Sequence, residues 1–83
     1  MDADAIKKVT PKGFVIEPTL IVTHMNGDTE CSPSVPDVAN AFALYLTEGR
    51  ADGDAEWLGD FDTAMDAKRA ADACRIVAAL TPL

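Results

Sequence analysis

The strongest local pattern in the chain is an apolar run that leads into a turn at residues 20–32, LIVTHMNGDTECS. Apolar and β-branched residues before Asn26–Gly27 predict a β-hairpin with a two-residue type I′ turn. That register places Val22 opposite Cys31, and it defines the face that we expect to meet the core. This face would consist of Leu20, Val22, His24, Thr29 and Cys31.

Residues 34–49 have the pattern of a helix. Ser34 and Asp37 have the spacing of a capping box, and Pro36 suits the first turn, where an amide proton is not needed. Apolar residues follow at helical spacing, and Gly49 is a natural helix stop. The pattern therefore predicts a helix over residues 35–48, VPDVANAFALYLTE.

The last third of the chain predicts a strand followed by a helix. Strict alternation over Glu56–Phe61 places Trp57 and Phe61 on one side of the strand and Asp60 on the other. A second capping box, formed by Thr63 and Asp66, marks the start of a helix over 64–80 that ends before Pro82. Its packing stripe would consist of Ala67, Ala70, Ala71, Cys74, Val77 and Ala78.

These elements predict an α+β fold in one domain, residues 1–83. We expect an antiparallel sheet of three or four strands with two helices packed on one face, in the order β-β-α-β-α. Phe14–Ile16 would add a short N-terminal strand that Pro18 ends, since proline cannot donate to a sheet ladder. Residues 1–12 are polar and predict a loosely ordered segment.

Charge divides the chain into acidic and basic parts. The net charge is −7. Between Gly13 and Ala67 there are eleven acidic residues and a single basic one, Arg50. A field of that sign repels nucleic acid and anionic lipid and attracts basic surfaces. We therefore expect a basic protein surface as the partner, with neither direct nucleic-acid binding nor membrane binding.

The chain has no pattern for export or membrane insertion. Its first residues, MDADAIKKV, contain no apolar run of the kind a signal peptide needs, and no stretch is long enough to cross a bilayer. We expect a cytoplasmic protein. In that reducing compartment Cys31 and Cys74 are expected to be buried thiols rather than a disulfide.

Catalytic and metal-binding patterns are weak. His24 and Cys31 are the one plausible catalytic pair, but no third residue orients the histidine and the hairpin leaves the pair loosely spaced. Alternating acids from Asp52 suggest calcium ligands, yet the sixth and twelfth positions of that pattern are Trp57 and Thr63 rather than glycine and glutamate. We predict no enzyme activity, no cofactor and no metal site, and we keep a small Cys/His enzyme as a third hypothesis.

The acidic belt, residues 48–66, is the feature that points most directly to function. It holds seven acids opposed by Arg50 alone. Charge for solubility explains such a belt, and so does a surface that docks on a basic groove. Trp57 lies within the belt, either as a core residue or as an exposed anchor. The residues predicted to bind the partner are Glu48, Asp52, Asp54, Glu56, Trp57 and Asp60.

The block EGRADGDAEWLGDFD, residues 48–62, together with chain length and charge, resembles the small acidic inhibitor proteins that phages and other mobile elements encode, anti-CRISPR proteins among them. The resemblance implies a stoichiometric inhibitor of a nuclease or a CRISPR surveillance complex, acting as a nucleic-acid mimic. The alternative is an oligomeric structural or accessory module whose charge serves only solubility. A monomer and a homodimer are both compatible with the sequence.

Overall fold

The computed structural model describes residues 3–50 and 54–80. Along the chain, one helix precedes four strands and a second helix follows them. The strands form one antiparallel sheet in the order β2-β1-β3-β4. The elements are α1 (Ala3–Val9), β1 (Phe14–Thr23), β2 (Thr29–Pro33), β3 (Ala41–Leu46), β4 (Glu56–Phe61) and α2 (Ala64–Leu80). The predicted α+β class, with a four-stranded antiparallel sheet and two helices, is confirmed.

The element order matches the prediction only roughly, because α1 comes first. α1 lies within residues 1–12, and Ile6 at its centre is buried. The helix predicted over 35–48 is wrong. The amide groups of Val38 and Ala39 both donate to the carbonyl of Val35, which closes a single turn, and the chain then extends as β3.

Both helices lie on one face of the sheet. Ile6 of α1 packs into the same buried cluster as the small residues of α2 and the apolar strand residues beneath them. That cluster contains Ile6, Phe14, Ile16, Phe42, Leu44, Ala64, Ala67 and Ala71. Three alanines on α2 allow the helix to approach the sheet closely, since their side chains end at the methyl group.

β3 is apolar throughout, and this explains both its position and the mistaken helix prediction. It pairs with β1 on one side and with β4 on the other. Its first four residues, Ala41–Leu44, are all buried. A short continuous apolar run fits a central strand as well as a buried helix, and pairing with two neighbours decides the outcome here.

The hairpin between β1 and β2 exists, but its predicted register is wrong by one residue. Ile21, not Val22, lies opposite Cys31. Asn26 does not have the positive φ that a type I′ turn requires, whereas Gly27 has φ 91° and closes a three-residue loop. A shift of one residue exchanges the two faces, so Cys31 lies on the face away from the helices.

β1 continues through Pro18, contrary to the prediction. The carbonyl of Pro18 accepts from the amide of Ser34, directly after β2 ends. In an antiparallel strand the amide and carbonyl of one residue point to the same side, so the nitrogen of Pro18 also points toward β2. β2 has already ended at that level, so no ladder hydrogen bond is lost because proline has no amide proton. On the other side of β1, the side-chain amide of Asn40 donates to the carbonyl of Ile21 and accepts from its amide, both at 2.8 Å.

The start of α2 is as predicted, but its packing stripe is shorter. The Thr63 hydroxyl accepts from the amide of Asp66 at 3.1 Å, as a helix cap does. Ala71 is the last buried residue of α2 among those with described side chains, and Cys74 and Val77 are exposed. Cys31 is also exposed and both thiols are free, so the prediction of buried cysteines is wrong. Neither described helix is long and apolar enough to cross a membrane.

Replacement of Leu44 by alanine tests this arrangement. Leu44 is 0% exposed and lies between the sheet and the helices. Loss of its side chain should lower the free energy of unfolding by about 2–5 kcal/mol, measured by urea denaturation. Met25→Ala is the control, since Met25 at the hairpin tip is fully exposed and should change stability by less than about 0.5 kcal/mol. Equal effects of the two variants would contradict the core described here.

Candidate functional site: the open face of the sheet

The face of the sheet opposite the helices is not covered by any described element. Its residues lie in two rows across β1, β3 and β4, set by the strand register. One row is Glu17, Ala43 and Asp60, and the other is Val15, Tyr45 and Trp57. We call this surface the open face.

A groove of about 480 Å³ lies on the open face. Ala43, on the central strand, forms its floor and is 3% exposed. Glu17 and Asp60 flank Ala43 on the neighbouring strands, so their backbones are about 10 Å apart, two strand spacings. The lining residues are Glu17, Thr19, Cys31, Ser32, Pro33, Ala43, Tyr45, Trp57 and Asp60.

A β-bulge in β4 places Trp57 at this groove. Leu44 pairs with Gly59, but its neighbour Tyr45 pairs with Trp57, so Leu58 is an extra residue. Without it, Trp57 and Asp60 would lie on opposite faces, as strict alternation predicts. That prediction is wrong because a bulge adds one residue to one strand and redirects the side chains beyond it.

Trp57 and Asp60 are held together on the open face. The indole Nε1–H of Trp57 donates to Oδ1 of Asp60 at 3.2 Å. The Trp57 side chain is nevertheless largely in solvent, since the residue is 58% exposed. Of the two alternatives for Trp57, the core position is excluded, and the exposed position is the one that the structure has.

Tyr45 lies in the row next to the two carboxylates of the groove. Burial raises the pKa of the Tyr45 hydroxyl, and the negative charges of Glu17 and Asp60 raise this pKa further. Both causes favour the neutral phenol over the phenolate. The phenol therefore stays a hydrogen-bond donor, and its ring forms an apolar wall beside two acids.

The charged residues of the four strands are all acidic: Glu17, Glu30, Glu56 and Asp60. The basic residues lie instead in the helices and loops, at Lys7, Lys8, Lys12, Arg50, Lys68, Arg69 and Arg75. The register assigns Glu17 and Asp60 to the open face. No strand residue supplies a positive charge to balance them, so the open face presents uncompensated negative charge.

The five described residues among those predicted to bind a partner divide into three groups. Trp57 and Asp60 are in contact at the groove. Glu56 forms an ion pair with Arg50 at 2.9 Å, which neutralises it locally. Glu48 and Asp54 are exposed at the ends of the β3–β4 connection and do not line the groove. Asp52 lies outside the described residues.

Sequence reasoning missed Glu17, Ala43 and Tyr45. The predicted helix over 35–48 hid Ala43 and Tyr45, because helical spacing does not place them beside β1 and β4. In the sequence, Glu17 is marked only by its contribution to the acidic charge pattern. Its position before Pro18 in a β-rich segment was the available signal, but the register of β1 with β3 was needed to place it beside Ala43.

The structure does not bring His24 and Cys31, the candidate pair of the third hypothesis, together. Nε2 of His24 lies 3.2 Å from Oε2 of Glu30 at the hairpin tip. Glu30 pairs with Val22 and Cys31 pairs with Ile21, so the histidine's partner and the thiol lie on opposite faces. Within the described residues, no group of three or more His, Cys, Asp or Glu side chains is arranged to hold a metal ion.

Comparison with known protein families, with curated proteins and with solved structures finds no match for this chain. The arrangement of its own residues therefore carries the functional argument.

A spectrophotometric titration of Tyr45 tests the electrostatics of the groove. Tyr45 is the single tyrosine of the chain, so the tyrosinate absorbance reports it alone. We expect a midpoint above the ordinary value of 10.0, and a lower pKa in Glu17→Gln, which removes a negative charge. Asp28→Asn, at the hairpin tip, should leave the pKa unchanged.

The same shift predicts a change of stability at alkaline pH. The folded state holds the phenol proton more tightly than the unfolded state. The free energy of unfolding should therefore fall as the pH rises from about 10 through the folded-state pKa. A midpoint at or below 10.0 in the folded protein would contradict the partial burial of Tyr45 near two carboxylates.

Proposed function

We propose that this chain is a non-enzymatic binding protein that presents the open face of its sheet to a basic protein surface. The observation that carries the proposal is the groove over Ala43, with Glu17 and Asp60 on either side and Trp57 exposed at its end. Tryptophan and tyrosine are enriched at the hot spots of protein interfaces.

Charge complementarity identifies the partner's chemistry. Glu17 and Asp60 have no described ion-pair partner, whereas the acid Glu56 is paired with Arg50. Two carboxylates without counter-charges gain most from a cationic surface, and the surrounding acids would accelerate encounter. Glu48, Asp54 and Glu56, as well as Asp52 outside the described residues, are proposed to contribute to this long-range attraction rather than to the contact itself.

A narrower form of the proposal follows from the resemblance to small acidic phage-encoded inhibitors. The basic partner would then be a nucleic-acid-handling assembly, such as a nuclease or a CRISPR surveillance complex. The open face would occupy a surface that otherwise holds phosphate, as a nucleic-acid mimic does. Inhibition would require only stoichiometric binding, so no catalytic group is needed.

The alternative is an oligomeric structural or accessory module. It is favoured by the two sheet edges, since all residues of the edge strand β2 are exposed and Trp57 lies in the other edge strand, β4. The features of β2 argue against edge pairing, because it is five residues long, carries Glu30 and ends at Pro33. An oligomer of this kind would therefore be a homodimer in which the β4 strands of two copies pair.

Affinity capture with charge-matched variants tests the proposal. The unmodified protein is immobilised, incubated with a lysate of the source cells at low salt, and eluted with a salt gradient. We expect a basic protein to be released at moderate salt and identified by mass spectrometry. The double variant Glu17→Gln, Asp60→Asn should bind that protein about tenfold more weakly.

The matched control is the double variant Asp28→Asn, Asp62→Asn. It also removes two negative charges, but from residues that do not line the groove. This control variant should still capture the basic partner protein. Equal losses in the two double variants would mean that net charge, not the open face, drives binding. Recovery of the chain alone would contradict the proposal and make self-assembly the leading hypothesis.

A further inference from the structure

The part of the groove between Glu17 and Asp60 has the chemistry to hold a cationic side chain. Its floor is the methyl group of Ala43, and every larger residue at this position would fill the space between Glu17 and Asp60. Carboxylates stand on two sides of the floor, and aromatic rings of Tyr45 and Trp57 stand at one end. A cation here would lie between two negatively charged carboxylates and against an aromatic surface.

We propose that this groove binds one arginine side chain of the protein partner, in preference to lysine. The inference rests on the proposed function and specifies the contact that anchors the partner. The guanidinium would lie over Ala43, donate to the carboxylates of Glu17 and Asp60, and stack against Tyr45 and Trp57. A planar guanidinium has donors along its edge and stacks with its face, whereas an ammonium is a compact, strongly hydrated point charge.

The existing contacts favour this choice. Trp57 Nε1–H already occupies Oδ1 of Asp60, which fixes the carboxylate and leaves its other oxygen for a ligand. Tyr45 and Trp57 are cross-strand partners, so their side chains lie next to each other at the same end of the groove. The strands therefore supply both acceptors and a stacking surface, and a guanidinium is the cationic group suited to both.

The test measures two peptides of equal charge, tetraarginine and tetralysine, against the folded protein. Trp57 is the single tryptophan, so its fluorescence reports the groove directly. We expect tetraarginine to change the Trp57 emission and to bind at least about fivefold more tightly than tetralysine at the same salt concentration. This comparison uses the unmodified chain and does not depend on whether a variant folds.

Two variants separate stacking from charge. Tyr45→Phe keeps the ring and should keep the preference for arginine. Tyr45→Leu keeps an apolar side chain without a ring, and should reduce the ratio of the two affinities toward one while salt-dependent binding of both peptides persists. An unchanged ratio in Tyr45→Leu would overturn the role of the aromatic wall.

The outcomes distinguish this inference from the function on which it rests. Equal affinity for the two peptides would overturn the arginine anchor. The capture experiment would still test whether the open face binds a basic protein. Binding of neither peptide, with a partner captured through Glu17 and Asp60, would also overturn the anchor alone. Binding of neither peptide and no capture would overturn both.

Discussion

β3 organises both faces of the sheet, because it pairs with β1 on one side and with β4 on the other. Because strand side chains alternate, Leu44 points to the helices and its neighbours Ala43 and Tyr45 point to the open face. One strand therefore supplies the centre of the hydrophobic core and the floor of the candidate site. A change that weakens β3 pairing would disturb both, even though they lie on opposite sides of the sheet.

The bulge in β4 adds the second requirement for the site. Leu58 has no partner on β3 because of the bulge. As a result Trp57 and Asp60 lie on the same face, where they form a hydrogen bond. The helices carry most of the basic residues and cover the other face of the sheet. None of the seven basic residues lies in a strand, so Glu17 and Asp60 give the open face its acidic character.

Part of this could be predicted from sequence, and the reasons differ by element. The strand Glu56–Phe61 and the Thr63 cap were predictable because their signals are local. The helix predicted over 35–48 was wrong because AFALYL fits either structure until its neighbours are known. The hairpin register depended on the φ of Asn26, and the bulge on the pairing of Tyr45. Both determine which face a side chain occupies, so the acidic character of the surface was predictable while the groove was not.

The β4 bulge brings Trp57 to the open face beside Tyr45. Nuclear Overhauser effects from the Trp57 indole, recorded on the folded protein in solution, test this placement. We expect contacts from the indole to the Tyr45 ring and to the side chain of Asp60. Contacts to Leu46 on the helix side, as an unbulged β4 would give, would contradict it.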